Sequence, residues 1–138
     1  MGGVLAIDYG EKKCGFASTD ALRIAVEPLG VLRHEGRLEA LLLHLEGLLA
    51  ERDIATLIVG RPPARSGTTG SQAERVGTFV QRLRGRFPGL EIQEWDEHLT
   101  SKEAESRLRA AGRKGRAIRA ERDSWSALVL LEDWLQSH

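Results

Sequence analysis

Acidic residues at widely separated positions are the best candidates for chemistry in this chain. Asp96 and Glu97 follow one apolar segment, Asp8 ends another at residues 4–7, and Asp123 lies before the apolar C-terminal segment. We expect each at the end of a strand or helix, where a rigid element can hold it. Carboxylate oxygens suit Mg²⁺ or Mn²⁺, which can activate water and neutralise charge during phosphodiester cleavage. We therefore predict that Asp8, Glu97 and Asp123 form a metal-binding, catalytic cluster.

Each acid also has a simpler interpretation. Asp8 could be a turn residue, Glu97 a solvated loop residue, and Asp123 a charge favoured by the dipole at a helix start. However, Asp123 lies four residues before Ala127 and extends an apolar helix face, where an ionised group needs a partner. The ordered occurrence of all three acids favours the metal site. Asp96 is predicted to cap the following loop, and the alternative is an auxiliary ligand.

The elements that must position these acids follow from hydrophobic periodicity. Continuous apolar runs predict strands over 4–8, 13–19, 29–34, 56–60 and 90–95. Apolar residues three and four apart predict helices over 37–52, 71–87, 100–111 and 122–136. The segments Ser71–Glu74 and Thr100–Glu103 have the form of capping boxes at two of the helix starts. The order βββαβαβαα predicts an α/β fold, a five-stranded mixed sheet flanked by helices, in a single domain over residues 1–138.

Composition limits the class of protein. The chain has 138 residues, of which 41% are hydrophobic, enough to bury a core. Acidic and basic residues balance at 20 each, so net charge indicates no partner.

The single Cys14 excludes an internal disulfide, fits a reducing compartment and is expected in the core. No apolar run approaches the roughly 20 residues that span a bilayer, and the start does not resemble a signal peptide. A cytoplasmic protein without a membrane partner is expected.

Positive charge is concentrated between residues 107 and 122. This segment holds seven basic residues and one acid, and two glycines interrupt it. We predict a mobile, basic connection between the last two helices that binds the phosphate backbone of nucleic acid. The alternative is a solvated charged loop. The predicted contact residues are Arg113, Lys114, Arg116 and Arg119.

Two further features leave alternatives open. The segment Gly67–Ser71 could cradle a phosphate with its backbone amides, but it lacks the lysine of a P-loop, so an ordinary loop is favoured. His98 follows the acidic pair. It could assist proton transfer beside the metal site, or it could be an exposed loop residue.

Four motifs in order resemble the YqgF/RuvX family over nearly the whole chain. They are Leu5-Ala-Ile-Asp8-Tyr-Gly10, Leu57-Ile-Val-Gly60-Arg-Pro62, Asp96-Glu97-His-Leu-Thr100, and Asp123 ahead of Ala127-Leu-Val-Leu-Leu. The resemblance implies a ribonuclease H-like fold and a nuclease acting on the 5′ end of precursor 16S ribosomal RNA or on Holliday junctions. His98 stands where the family usually has arginine, which removes a fixed cation.

The residues and the resemblance together predict a metal-dependent endonuclease. Asp8, Glu97 and Asp123 would hold Mg²⁺ or Mn²⁺, and the basic segment would hold structured RNA or branched DNA. A homodimer is an option, because resolving a junction requires two symmetric sites. One alternative is a non-catalytic nucleic-acid-binding or transcription-associated factor. Another is a sugar-kinase- or chaperone-type phosphate-handling fold, but the chain is too short for its two lobes.

Overall fold

In the part of the chain that the structure describes, five strands form one mixed sheet with four helices around it. The computed structural model describes residues 2–62 and 70–138. Residues 67–69 of the predicted phosphate loop lie outside the described residues, as does the side chain of Ser71, the predicted cap. The elements are β1 (Gly3–Tyr9), β2 (Lys13–Thr19), β3 (Val26–Arg33), α1 (Leu38–Ala50), β4 (Ile54–Arg61), α2 (Gly70–Arg86), β5 (Glu91–Asp96), α3 (Thr100–Ala110) and α4 (Arg116–Gln136). The predicted element order and the α/β class are therefore confirmed.

The sheet has the order β3-β2-β1-β4-β5. Strand β1 pairs antiparallel with β2, and β2 pairs antiparallel with β3. On the other side, β1 pairs parallel with β4, and β4 pairs parallel with β5. The carboxyl ends of three parallel strands therefore meet at one edge, where the predicted acids of β1 and β5 are expected.

Alternate residues of β1 enter two separate cores, because successive side chains of a strand point to opposite faces. Leu5 and Ile7 pack in the core that includes the buried leucines of α1 and Val76, Phe79 and Val80 of α2. Val4 and Ala6 pack in the core formed with α4. Asp8 continues the Val4 and Ala6 series, so its side chain belongs to the face covered by α4.

Helix α4 starts at Arg116, six residues before the predicted start at Arg122. Asp123 therefore lies about two turns inside the helix and does not open it. The predicted mobile connection is also wrong in extent, since only residues 111–115 separate α3 from α4. Ile118 is the buried apolar residue of the early turns. One such residue among charged neighbours gives too little periodicity to reveal a helix.

The capping box predicted at Thr100–Glu103 is not formed. The residue before the helix is Leu99, which has a left-handed backbone (φ 59°) and makes no capping side-chain hydrogen bond. Thr100 is already the first helical residue and is buried. None of the helices in the described ranges is long and apolar enough to cross a membrane.

Backbone contact between α4 and β2 fixes the position of Asp123. A Cβ atom on Gly15 would overlap the carbonyl group of Asp123 and the amide nitrogen of Ser124. The Ser124 hydroxyl donates to the carbonyl oxygen of Phe16 (2.8 Å) and accepts from the amide of Gly30 (2.9 Å). Because Gly15 is the cross-strand partner of Asp8, this contact brings α4 next to Asp8.

Replacing Gly15 with alanine should displace α4 and destabilise the protein. We expect a loss of about 3 kcal/mol or more, at the upper end for overpacking, because the obstruction is backbone and cannot rotate away. Gly47→Ala is the matched control. Gly47 lies in α1 with open space around its Cα, so alanine there should stabilise by about 0.5–1 kcal/mol. Chemical denaturation of both variants tests this, and a Gly15→Ala protein as stable as wild type would contradict it.

Candidate functional site

Asp8 and Glu97 come together at the carboxyl edge of the sheet. The Glu97 amide donates to the carbonyl oxygen of Arg61 (2.8 Å), which continues the β4–β5 pairing by one residue. The Glu97 side chain then passes over Gly60, where a Cβ atom would lie only 2.7 Å from its Cγ. The two carboxyl groups are within hydrogen-bonding reach of each other. Glycine at position 60 is therefore what lets Glu97 reach Asp8.

The electrostatics of Asp8 link all three predicted acids. Burial raises the pKa of Asp8 well above its ordinary value. The charge and hydrogen bond of Glu97 and the charge of Asp123 raise the pKa further, while the Arg122 guanidinium lowers it. Removing a carboxylate from water and placing it beside other carboxylates both disfavour its ionised form. The site is thus an unfavourable concentration of negative charge.

Asp123 faces the same site from α4 but is held by cations of the chain. Its carboxylate lies 3.5 Å from the Lys13 ammonium and 3.8 Å from the Arg122 guanidinium. Its side chain is only 15% exposed. Across residues 2–62 and 70–138, no three His, Cys, Asp or Glu side chains are arranged to hold one ion. The structure brings Asp8 and Glu97 into contact, and it places Asp123 within charge range.

The donor set suits a hard divalent cation. All three acids offer oxygen, which Mg²⁺ and Mn²⁺ prefer. The raised pKa of Asp8 marks a place where added positive charge would be favourable. Lys13 and Arg122 already supply part of that charge to Asp123. Cys14 is not available as a ligand, because it lies buried in the core on the opposite face of the sheet.

An open cleft beside the acids contains residues that the sequence did not single out. Its lining includes Asp8, Asp123, Lys13, Arg33 and Ser101, with Gly10, Glu11 and Lys12 at the turn after β1. A signal for part of this site was present in the sequence. A glycine inside a strand often marks a close approach by another group; the backbone of α4 approaches Gly15, and the side chain of Glu97 approaches Gly60.

Asp96 and His98 take no part in the acid contact. The Asp96 carboxylate pairs with the Arg61 guanidinium across β4 and β5. The capping of the following loop by Asp96 stays a prediction, because the hydrogen bond described for its carboxylate comes from Arg61. His98 is exposed.

The predicted nucleic-acid contacts fall into two groups. Arg113 pairs with Glu121 (3.0 Å), and the hollow that it lines with Lys114 and Arg119 also contains Glu105. Arg116 and Arg119 are exposed and line a second hollow with Lys13 and Arg33. Within the described ranges, no acid pairs with Lys114, Arg116 or Arg119.

Comparison with known proteins identifies the family. The model of the RuvX family, described as Holliday junction resolvase, matches residues 2–137. The chain belongs to the RuvX family. A relative from Anaeromyxobacter sp. (strain Fw109-5) is 36% identical over 131 residues, covering 95% of this chain and 94% of its own. One from Chlorobaculum tepidum is 34% identical, with coverage of 98% and 94%. Both are named "Putative pre-16S rRNA nuclease".

Solved structures establish the fold of this RuvX-family chain. It is similar to T. thermophilus RuvC in complex with Holliday junction substrate, with a TM-score of 0.56, 13% identity and coverage of 98% and 96%. A second Thermus thermophilus RuvC structure has a TM-score of 0.53 at 12% identity, covering 97% and 96%. The predicted ribonuclease H-like fold is confirmed.

Neutralising Asp8 should stabilise the metal-free protein. Its raised pKa means that the folded state binds more protons than the unfolded state above the ordinary pKa of 3.8. Stability contributed by this group therefore falls as pH rises until the folded-state pKa is passed. Asp8→Asn should gain about 1 kcal/mol at neutral pH, and the gain should shrink toward pH 4. Thermal melts in chelator across pH test this; a gain that grows on acidification would contradict it.

The thiol of Cys14 should be unreactive in the folded protein. Burial raises the pKa of Cys14 to about 12, and the thiolate is the reactive form. We expect native protein to resist iodoacetamide at pH 8 and unfolded protein to react fully. Mass spectrometry of both samples measures this, and rapid labelling of the native protein would refute the buried assignment.

Proposed function

We propose that this RuvX-family chain is a metal-dependent endonuclease that hydrolyses phosphodiester bonds in structured nucleic acid. The observation that carries the proposal is the meeting of Asp8 with Glu97 at the sheet edge, within charge range of Asp123. Acids brought together from a strand, a loop and a helix raise the free energy of the folded protein unless a cation compensates. Membership of a family of nucleases supports the same conclusion.

Asp8, Glu97 and Asp123 are the residues that would hold Mg²⁺ or Mn²⁺. The bound ions would activate water and neutralise charge on the attacking and leaving oxygens. Within the chain, Glu97 is fixed by its amide bond to Arg61 and by its passage over Gly60. Asp123 is fixed by the backbone contact of α4 with Gly15. Each acid therefore has a rigid base.

Lys13 is suited to respond to the charge of the substrate. Its ammonium pairs with Asp123 and lines the open cleft. A phosphate entering the cleft offers a second anionic partner, to which a flexible lysine can turn. Lys13 would then neutralise the phosphate and release Asp123 for its ligand role.

Precursor 16S ribosomal RNA is the substrate that we favour. Relatives that match nearly end to end carry that name. A nuclease that processes this RNA acts where the RNA is transcribed, so the proposed location is the cytoplasm. The basic residues beside the cleft fit a substrate held through its phosphates and not through its bases.

Holliday junction resolution in DNA recombination and repair is the second candidate. The family model has that description, and the similar RuvC structure holds such a substrate. This function would require a symmetric dimer that presents two sites to one junction. Cleavage of labelled precursor RNA and labelled four-way DNA, side by side, separates the two candidates. A strict monomer in sedimentation would favour the RNA.

Neutral variants of the acids should abolish cleavage. We expect Asp8→Asn, Glu97→Gln and Asp123→Asn each to lose more than about 100-fold, since even outer partners of metal ligands are worth 10–100-fold. The double variants should lose little more, because the acids act as a unit. Excess EDTA should have the same effect, measured as initial rates with Mg²⁺ or Mn²⁺ restored.

Asp96→Asn is the matched control for this experiment. Asp96 adjoins Glu97 but pairs with Arg61 outside the acid contact, so its variant should keep near-normal rates. Wild-type cleavage by folded Asp8→Asn protein, or persistent cleavage in EDTA, would refute the mechanism. Binding of both substrates without any cleavage would instead favour a non-catalytic factor.

A further inference from the structure

Four of the six residues that line a hollow next to the acid cleft are cations. Its lining residues are Lys13, Val31 and Arg33 of the sheet and Arg116, Arg119 and Ala120 of α4. None of these is an acid, although the whole chain has equal numbers of acidic and basic residues. Lys13 and Arg33 also line the acid cleft. We call this hollow the basic groove, and the two shared residues place it beside the acid cleft.

This arrangement of charge is unfavourable for the isolated protein. Lys13 and Arg33 are direct cross-strand partners, and like charges in that position destabilise a sheet. Arg116 and Arg119 lie at the beginning of α4, where the positive end of the helix dipole disfavours cations. Lys13 is compensated by Asp123 and Arg33 by the exposed Glu35. Among the described residues, no acid pairs with Arg116 or Arg119.

We propose that the basic groove carries one sugar-phosphate strand of the substrate to the acids. This inference rests on the proposed nuclease function and adds the direction from which the strand arrives. A polyanion is the ligand that would compensate Arg116 and Arg119 and reduce the repulsion among all four cations. None of the described residues that line the groove is an aromatic on which a base could stack, so the groove contacts the backbone. The strand is therefore gripped on one side of the scissile bond, between β3 and the start of α4.

The same geometry excludes part of the basic segment from this role. Arg109 pairs with Glu105 and Arg113 pairs with Glu121. Neither residue lines the basic groove. Both lie close in sequence to Arg116 and Arg119 and are likewise exposed. The pair Arg109 and Arg113 therefore forms a control with the same loss of charge.

The first test measures binding of a fluorescein-labelled single-stranded RNA in EDTA at several salt concentrations. Arg116→Gln/Arg119→Gln should weaken affinity about tenfold or more at low salt. Its log–log salt dependence should be shallower by about 1.4, at roughly 0.7 for each phosphate of a single strand that is no longer neutralised. Arg109→Gln/Arg113→Gln should stay near wild type in both quantities. The thermal midpoint of the test variant should not fall, because it removes unfavourable charge.

The second test uses one-sided shortening of the RNA around the mapped cleavage position. One flank of the RNA should lie in the groove, and shortening that flank should weaken binding by wild type. It should have little effect on binding by Arg33→Gln/Arg116→Gln, which lacks one cation from β3 and one from α4. Shortening the other flank should affect both proteins equally. Equal effects of both flanks on both proteins would refute the one-sided grip. If the RNA is not cleaved, oligonucleotides shortened from either end replace the mapped flanks.

The outcomes separate this proposal from the nuclease proposal. Equal losses in the Arg116/Arg119 and Arg109/Arg113 variants, or no loss in either, would refute the basic groove, whatever the cleavage assay shows. So would a wild-type protein that does not bind the RNA in EDTA. If the wild-type protein never cleaves, the nuclease proposal is refuted. Selective loss of binding in the Arg116/Arg119 variant would still support the groove as a nucleic-acid surface.

Discussion

Contact between the backbone of α4 and Gly15 is the constraint on which the rest of the site depends. A helix usually packs on a sheet through side chains, which hold the two backbones apart. Here the absence of a Cβ atom lets the carbonyl of Asp123 lie directly on β2. The Ser124 hydroxyl bonds both β2 and β3, so the helix is held in position as well as in distance. The acid cleft and the basic groove both take their shape from this contact.

The charges of the molecule are arranged at a cost to its stability. Acids are gathered at one end of the sheet, and burial raises the pKa of Asp8. Cations are gathered beside them, where they are cross-strand neighbours or lie at a helix start. Proteins commonly give up stability at functional sites in this way. Lys13 connects the two groups, because it pairs with Asp123 and lines both the acid cleft and the basic groove.

The periodicity of apolar residues and the order of the elements are enough to predict the fold. Features that depend on contacts between distant residues cannot be predicted from the sequence. The strands have alternating or continuous apolar patterns, and their order with the helices led to the correct class. The start of α4 was missed because Ile118 is its early apolar signal, and the N-cap of α3 because Leu99 takes a left-handed conformation. The sequence also does not show which cations are free of acidic partners and so available to bind phosphate. Arg113 and Arg116 look equivalent in sequence, yet only Arg113 meets an acid in the described structure.

The positions of the three acids along the chain determine when during synthesis they can come together. Asp8 lies in the first strand, Glu97 directly follows the fifth strand, and Asp123 lies in the last helix described. During synthesis, α4 is the last of these elements to leave the ribosome. Until it docks on Gly15, the growing chain cannot assemble all three acids. On the proposed function, the three acids would therefore come together only after α4 has been synthesised and has docked.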